Sequence, residues 1–189
     1  MTITIGINAN HADSSICIFD KNKLIFAVEE ERINRIKHWA GVPSESIKLG
    51  LSYCQIKPDQ VANITFNTNP LSNFNRKIYY YLTNYLFSKK SKEILNRQKL
   101  KIKIKDNLTE LIGNKKIKYH YIDHHISHLS SAFYPSNFDN AIGISIDGFG
   151  DFSSCVIAEC SKNQIKVVDK IFFPNSIGVF YEAMTQLIG

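Results

Sequence analysis

An α/β fold of two duplicated lobes, the first lobe plus the start of a second, is what this sequence predicts, and three observations predict it. The chain opens with three short β-rich segments followed by a helix and a fourth strand; a similar opening recurs from Ile142; and in both an I-G-I strand runs into a polar turn and a second strand. With 189 residues, 44% of them hydrophobic, the chain has the material for a real core and is no disordered tail.

Taken in order, Thr2 to Asn8 and Ser14 to Asp20 are apolar and β-rich, and Leu24 to Glu30 follows the turn Asp20-Lys21-Asn22-Lys23. Pro43 suits the first turn of a helix whose apolar face is Ile47, Leu51 and Tyr53-Cys54, and Val61 to Phe66 resumes strand character. Ile142 to Asp147, Ser153 to Glu159 and Ile165 to Phe173 read as three further strands, and Ile5-Gly6-Ile7-Asn8 answers to Ile142-Gly143-Ile144-Ser145 as Asp13-Ser14-Ser15-Ile16-Cys17 does to Asp151-Phe152-Ser153-Ser154-Cys155. Two βββαβ copies are the plan of the actin-like ATPases, built of ribonuclease-H-like lobes, with a ligand expected between the lobes against the polar turns. The boundaries expected are a first lobe over residues 1–139, carrying a helical insertion at about 70–118 with helices such as Lys77 to Phe87 and Ile94 to Ile104, and an incomplete second lobe over 140–189. The last residues read as an amphipathic helix begun near Ile177, so that the chain is expected to be a fragment.

The formal net charge of +6 belongs to one segment: Pro70 to Lys118 holds 13 Lys/Arg against 3 Asp/Glu, leaving 10 against 14 elsewhere. The stretch Lys89 to Lys105 reads as a solvated, tyrosine-flanked helical surface, and with no RNA- or DNA-binding motif nucleic acid is not an expected partner. No basic leader or long apolar run opens the chain, which predicts a cytoplasmic protein with no membrane partner. Cys17, Cys54, Cys155 and Cys160 show no C-x-x-C pairing and read as reduced core residues.

The sharpest chemical signal is Asp123-His124-His125-Ile126-Ser127-His128. On a helix His124 and His128, four apart, share a face and can share a metal, with Asp123 as N-cap, His125 pointing elsewhere, and Leu129, Ala132 and Phe133 as a packing stripe. Asp147, ending an apolar strand, can add a carboxylate, and two His with one Asp make an open site of the catalytic type. An isolated H-x-x-x-H is more often plain surface polarity; Asp147 and the surrounding motifs turn the balance. The glycine turn Asp147-Gly148-Phe149-Gly150-Asp151 suits either an anion approached by the N–H groups of Gly148 and Gly150, or a tight hairpin and nothing more. It corresponds to Asn8-Ala9-Asn10-His11, where His11 is placed to donate to a phosphoryl or carbamoyl oxygen or to move a proton. The charge run Glu29 to His38 has a plain reading as a solvated helix start, with Ile33 and Ile36 as anchors.

Together, Gly6-Ile7-Asn8-Ala9-Asn10-His11-Ala12-Asp13-Ser14-Ser15, Glu29-Glu30-Glu31-Arg32 through Arg35-Ile36-Lys37-His38, His124-His125-Ile126-Ser127-His128, Asp147-Gly148-Phe149-Gly150-Asp151 and Phe173-Pro174-Asn175-Ser176-Ile177-Gly178 resemble the O-carbamoyltransferase family of the nodulation and antibiotic-biosynthesis type. The likeness runs in order from Gly6 to Gly189 and is weakest over Pro70 to Lys118. It implies a two-domain enzyme: an actin-like domain with a metal site, then a domain, absent here, that builds carbamoyladenylate from carbamoyl phosphate and ATP. Carbamoyl then passes to the hydroxyl of a small acceptor. By motif position the resemblance implies that His124, His128 and Asp147 hold a divalent metal of the Fe(II) type, that His11 and Asn8 lie on the adenylate side, and that Lys37 stabilises charge. His11 is the candidate base for the acceptor. This chain by itself is expected to be inactive and to need its downstream part or a partner chain. The alternatives are a transferase of the tRNA threonylcarbamoyladenosine type, against which the E-E-R-x-x-R-x-K-H run stands; a non-catalytic remnant acting as a binding piece; and an actin-like sugar kinase, which has no need of H-x-x-x-H.

Overall fold

The structure, a computed structural model, describes residues 2–85, 104–162 and 164–189. The helix expected over Ile94 to Ile104 and the basic stretch Lys89 to Lys105 lie, but for their last residues, outside the described residues. The chain divides into two compact units; among the described residues one takes 2–67 and 104–121, the other 68–85 and 122–189.

In the first unit the period-2 alternation of isoleucines produces a sheet. β1 (Ile3–Asn8), β2 (Ser15–Asp20) and β3 (Lys23–Glu29) form an antiparallel meander, and β4 (Val61–Phe66) and β5 (Lys118–Tyr121) add in parallel beyond β1, giving the order β3-β2-β1-β4-β5. This βββαβ arrangement is the ribonuclease-H-like, actin-like fold that the sequence predicts. Ile3, Ile5 and Ile18 are fully buried, and Gly6 is required beside Cys17, whose Sγ a Cβ would meet at 2.6 Å.

A short α1 (Glu31–Asn34) and α2 (Ser44–Tyr53) follow β3. Here the charge run departs from its plain reading: Glu30 is buried, and its carboxylate oxygens accept the N–H groups of Glu45 (3.1 Å) and Ser46 (2.8 Å) at the start of α2. Those N–H groups have no partner inside the helix, and an anion there also meets the positive end of the helix dipole. A helix over residues 104–112, α4, sets Ile104, Leu108 and Ile112 at i, i+4 and i+8 into the core, and Ile117 joins them before β5. The segment expected as an insertion over 70–118 is therefore core structure of this unit from residue 104 onward, and its start, α3 (Phe74–Tyr85), falls in the other unit.

The second unit is a meander, β6 (Asn140–Gly150), β7 (Ser153–Ser161) and β8 (Gln164–Phe172), in that order. One face is covered by α5 (His124–Phe133), whose Leu129 and Phe133 pack with Val156, Ala158 and Cys160; Ala132, expected in the same stripe, is exposed. The boundary expected at 139/140 does not coincide with the one between the units, because α5 packs on β6 and β7. Ile142, Ile144 and Ile146 of β6 are each more than half exposed, and α6 (Ile177–Ile188) buries none of its residues. All four cysteines are free. No helix among the described residues is long and apolar enough to cross a membrane.

Candidate metal centre

The i, i+4 spacing does what the sequence predicts. α5 begins at His124, capped by Asp123, whose carboxylate accepts the His125 N–H, and both imidazoles that are four apart turn to the same side. His124 Nε2 lies 2.8 Å from Asp147 Oδ2 and 3.0 Å from His128 Nε2, with 3.8 Å between His128 Nε2 and Asp147 Oδ2. A circle of radius about 1.9 Å passes through these three atoms, so one divalent ion could lie within ordinary coordination distance of all of them. Two imidazoles and one carboxylate are the donor types found in non-haem Fe(II) sites. Exposure grades across the set: the side chains of His124, Asp147 and His128 are 15%, 40% and 54% exposed.

Burial pushes the Asp147 carboxyl up, but hydrogen bonds from His124 and the Gly148 N–H, with the nearby charge of His124 and His128, outweigh it and hold Asp147 below the usual carboxylate range. A ligand must be in its anionic form to bind a cation, so this favours coordination.

His125 does point elsewhere, into full burial. Its Nε2 must donate to the Ser153 carbonyl (3.0 Å), since a carbonyl only accepts, which leaves Nδ1 to accept from the Ser145 hydroxyl (2.7 Å). These two bonds tie α5 to β6 and β7, the strands it packs on.

The glycine turn is laid out differently from the expectation. β6 runs through to Gly150, with an irregularity between Ile146 and Gly150, and the hairpin turns at Asp151 and Phe152, both at positive φ (49° and 72°). Such two-residue turns normally take Asn-Gly, so a phenylalanine there is strained. The Gly148 N–H is already engaged, by the Asp147 carboxylate at 2.6 Å, and is not turned out toward an anion. Gly150 has a steric role, since a Cβ there would run into the His124 ring; likewise a Cβ at Gly178 would strike the Asp147 carbonyl. Ser176 caps α6 and also donates toward the carbonyls of Asp147 (3.1 Å) and Gly148 (2.6 Å), so the start of α6 grips the backbone at Asp147.

In the first unit, Asn8 spends its amide on its own loop, donating to the Ala12 and Asp13 carbonyls (3.4 and 3.0 Å) and accepting from Asn67 (3.2 Å). His11 is exposed, with Nδ1 3.3 Å from the Ala12 carbonyl, and Lys37 is exposed in the turn after α1. Beside them His38 Nδ1 meets Asp13 at 2.8 Å, and its N–H donates to Glu31 at 3.0 Å. Sequence reasoning assigned no role to Glu30, Ser176 or the buried bonds of His125, because each acts on a segment distant in the chain.

Comparison with known proteins identifies the family. The family described as carbamoyltransferase N-terminus matches residues 3–189. Among curated proteins, the uncharacterized protein sll1178 of Synechocystis sp. is 33% identical over 100% of this chain and 32% of its own length. The nodulation protein NolNO of Sinorhizobium fredii is 27% identical over 95% of this chain and 25% of its own. The chain thus spans about a third or less of the length of these relatives. Among solved structures, YeaZ from Pseudomonas aeruginosa superposes with a TM-score of 0.48 at 8% identity, covering 89% of this chain and 65% of that one. With the family match extending over all but the first two residues, and the histidine pair and aspartate converging in space, the chain belongs to the carbamoyltransferase N-terminus family.

Proposed function

We propose that this chain is the metal-bearing N-terminal part of an enzyme that transfers a carbamoyl group from carbamoyladenylate, made from carbamoyl phosphate and ATP, to a hydroxyl of a small molecule. The observation that carries the reading is the convergence of His124, His128 and Asp147 within the second unit of a chain of this family.

His124, His128 and Asp147 would hold a divalent cation, for which two imidazoles and a carboxylate favour Fe(II), and which when bound supplies positive charge against a phosphate oxygen. Carbamoyladenylate is a mixed anhydride. The acceptor oxygen forms a bond to the carbamoyl carbon, the bond from that carbon to the phosphate oxygen breaks, and AMP leaves with the electron pair. The acceptor's proton goes to His11: with Nδ1–H donating to the Ala12 carbonyl, Nε2 carries the free lone pair of a base. Lys37 offsets charge on the departing phosphate. The remaining two-thirds of the relatives' length, in the same chain or a partner, supplies the adenylate and covers the bare face of β6.

The test joins or coexpresses this chain with the segment that continues it in its relatives and follows ATP-dependent carbamoyl transfer from carbamoyl phosphate to hydroxylated acceptors. Transfer that disappears in His124→Ala and His11→Ala supports the reading. Absence of carbamoyladenylate and of carbamoylated product in the complete assembly sinks it.

A further inference from the structure

Asp151, the second aspartate of Asp147-Gly148-Phe149-Gly150-Asp151, has no part in the chemistry above, yet its carboxylate accepts three hydrogen bonds. Its Oδ1 accepts from the Thr68 hydroxyl (2.7 Å); its Oδ2 accepts from the N–H of Asn69 (2.7 Å) and of His124 (2.9 Å); and its carbonyl accepts from the Asn73 amide (2.8 Å). The bond to His124 has most consequence. His124 is the first residue of α5, whose opening N–H groups have no partner within the helix, and the Asp151 side chain satisfies one of them.

Asp151 stands four residues after Asp147 on the same hairpin and holds the start of the helix that carries both histidines. The strained turn it occupies persists because its surroundings over-determine it: four hydrogen bonds on Asp151, and the Phe152 ring packed against Tyr80 and Phe173. A turn that needed only positive φ would take asparagine and glycine.

We infer that Asp151 is a positioning residue for the His124, His128 and Asp147 set, fixing the start of α5 against the end of β6 so that the imidazole nitrogens and the carboxylate oxygen stay within reach of one cation. The inference rests on reading that set as a cation site. It concerns hydrogen-bond geometry, not charge, and this separates two variants. Asp151→Gly keeps the positive φ without strain and removes every acceptor of the side chain. Asp151→Asn also suits positive φ, and its amide oxygen takes the place of Oδ2 under both N–H groups while its NH2 donates to the Thr68 hydroxyl.

The experiment titrates the chain with Co(II), reading affinity and the visible d–d spectrum, beside the unfolding midpoint of each metal-free protein. The expected result is a loss of affinity of about ten- to a hundredfold with a changed spectrum in Asp151→Gly, the range for residues that orient metal ligands, and recovery to within about threefold of wild type in Asp151→Asn. Wild-type affinity and spectrum in Asp151→Gly overturn the positioning role and leave the cation site standing, and so does an asparagine variant as impaired as the glycine one. A wild-type chain that binds no Co(II) overturns the cation site and this inference with it. Hydrogen exchange at the His124 amide of metal-free wild type reads the bond even where the glycine variant does not fold: protection is expected, and free exchange overturns the inference.

Discussion

Ile3, Ile5 and Ile7 on β1 and Ile142, Ile144 and Ile146 on β6 are the same alternating pattern with opposite outcomes. The first three are 0%, 0% and 3% exposed; the second three are 64%, 61% and 54% exposed. β1 lies between β2 and β4 and belongs to a fourteen-residue buried cluster, whereas β6 pairs among the described residues with β7 alone and its unit's buried cluster has five members. Alternation thus says which side chains share a face but not whether anything covers that face. The first unit is held by apolar burial. The second, which carries the candidate metal centre, relies more on polar fastenings: Asp151 on His124, Asp123 on Ser72 and Lys170, and His125 between Ser145 and Ser153.

The largest expected effect sets one unit directly against the other. Ile5→Ala should destabilise the first unit by about 2–5 kcal/mol, as deletions from a close-packed core do, while Ile144→Ala should stay within about 0.5 kcal/mol. Denaturant unfolding of both variants checks this, and equal losses would break the contrast. Gly150→Ala comes next. Its Cβ displaces the His124 ring, so overpacking should cost about 1–3 kcal/mol, and cation binding should weaken by more than that loss of stability explains. Calorimetric titration beside a melting curve tests it; unchanged binding would remove the steric role given to Gly150. Glu30→Gln should cost about 1 kcal/mol, the usual value of a lost helix cap, and should leave cation binding untouched because Glu30 serves α2 of the other unit. The smallest effect is that of Ile144→Glu, which should leave the unfolding midpoint unchanged and reduce self-association of the isolated chain in sedimentation; undiminished association would mean that the bare face of β6 is not the adhesive one.

Much of this was legible in the sequence for identifiable reasons. β4 begins and ends where the alternation places it, at Val61 and Phe66, and α2 starts at Ser44, with the Pro43 expected in its first turn standing one residue earlier, at the N-cap. The His124, His128 and Asp147 set was legible because helical spacing turns i and i+4 to one side and Asp147 stands near the end of an apolar strand. The repeat was legible as strand order but not as register. Cys17 pairs with Gly6, whereas its counterpart Cys155 pairs with Ile146, so matching Gly6 to Gly143 is three residues out of step. The irregularity between Ile146 and Gly150, which nothing in the alternation announces, goes with the difference. β5 was missed because Lys118-Tyr119-His120-Tyr121 has no apolar run, and its strand character comes from pairing with β4. Glu30 and Asp151 were missed for another reason: each caps a helix from a distant point in the chain, where local sequence carries no sign of it.

The central claim is that His124, His128 and Asp147 bind one divalent cation, and anaerobic calorimetric titration of the chain with Fe(II), beside His128→Ala, tests it most directly. His128 is half-exposed, so its loss should barely move the unfolding midpoint. The account predicts one cation per wild-type chain and affinity lower by about a hundredfold in the variant. No binding by wild type, or equal binding by both, would contradict it.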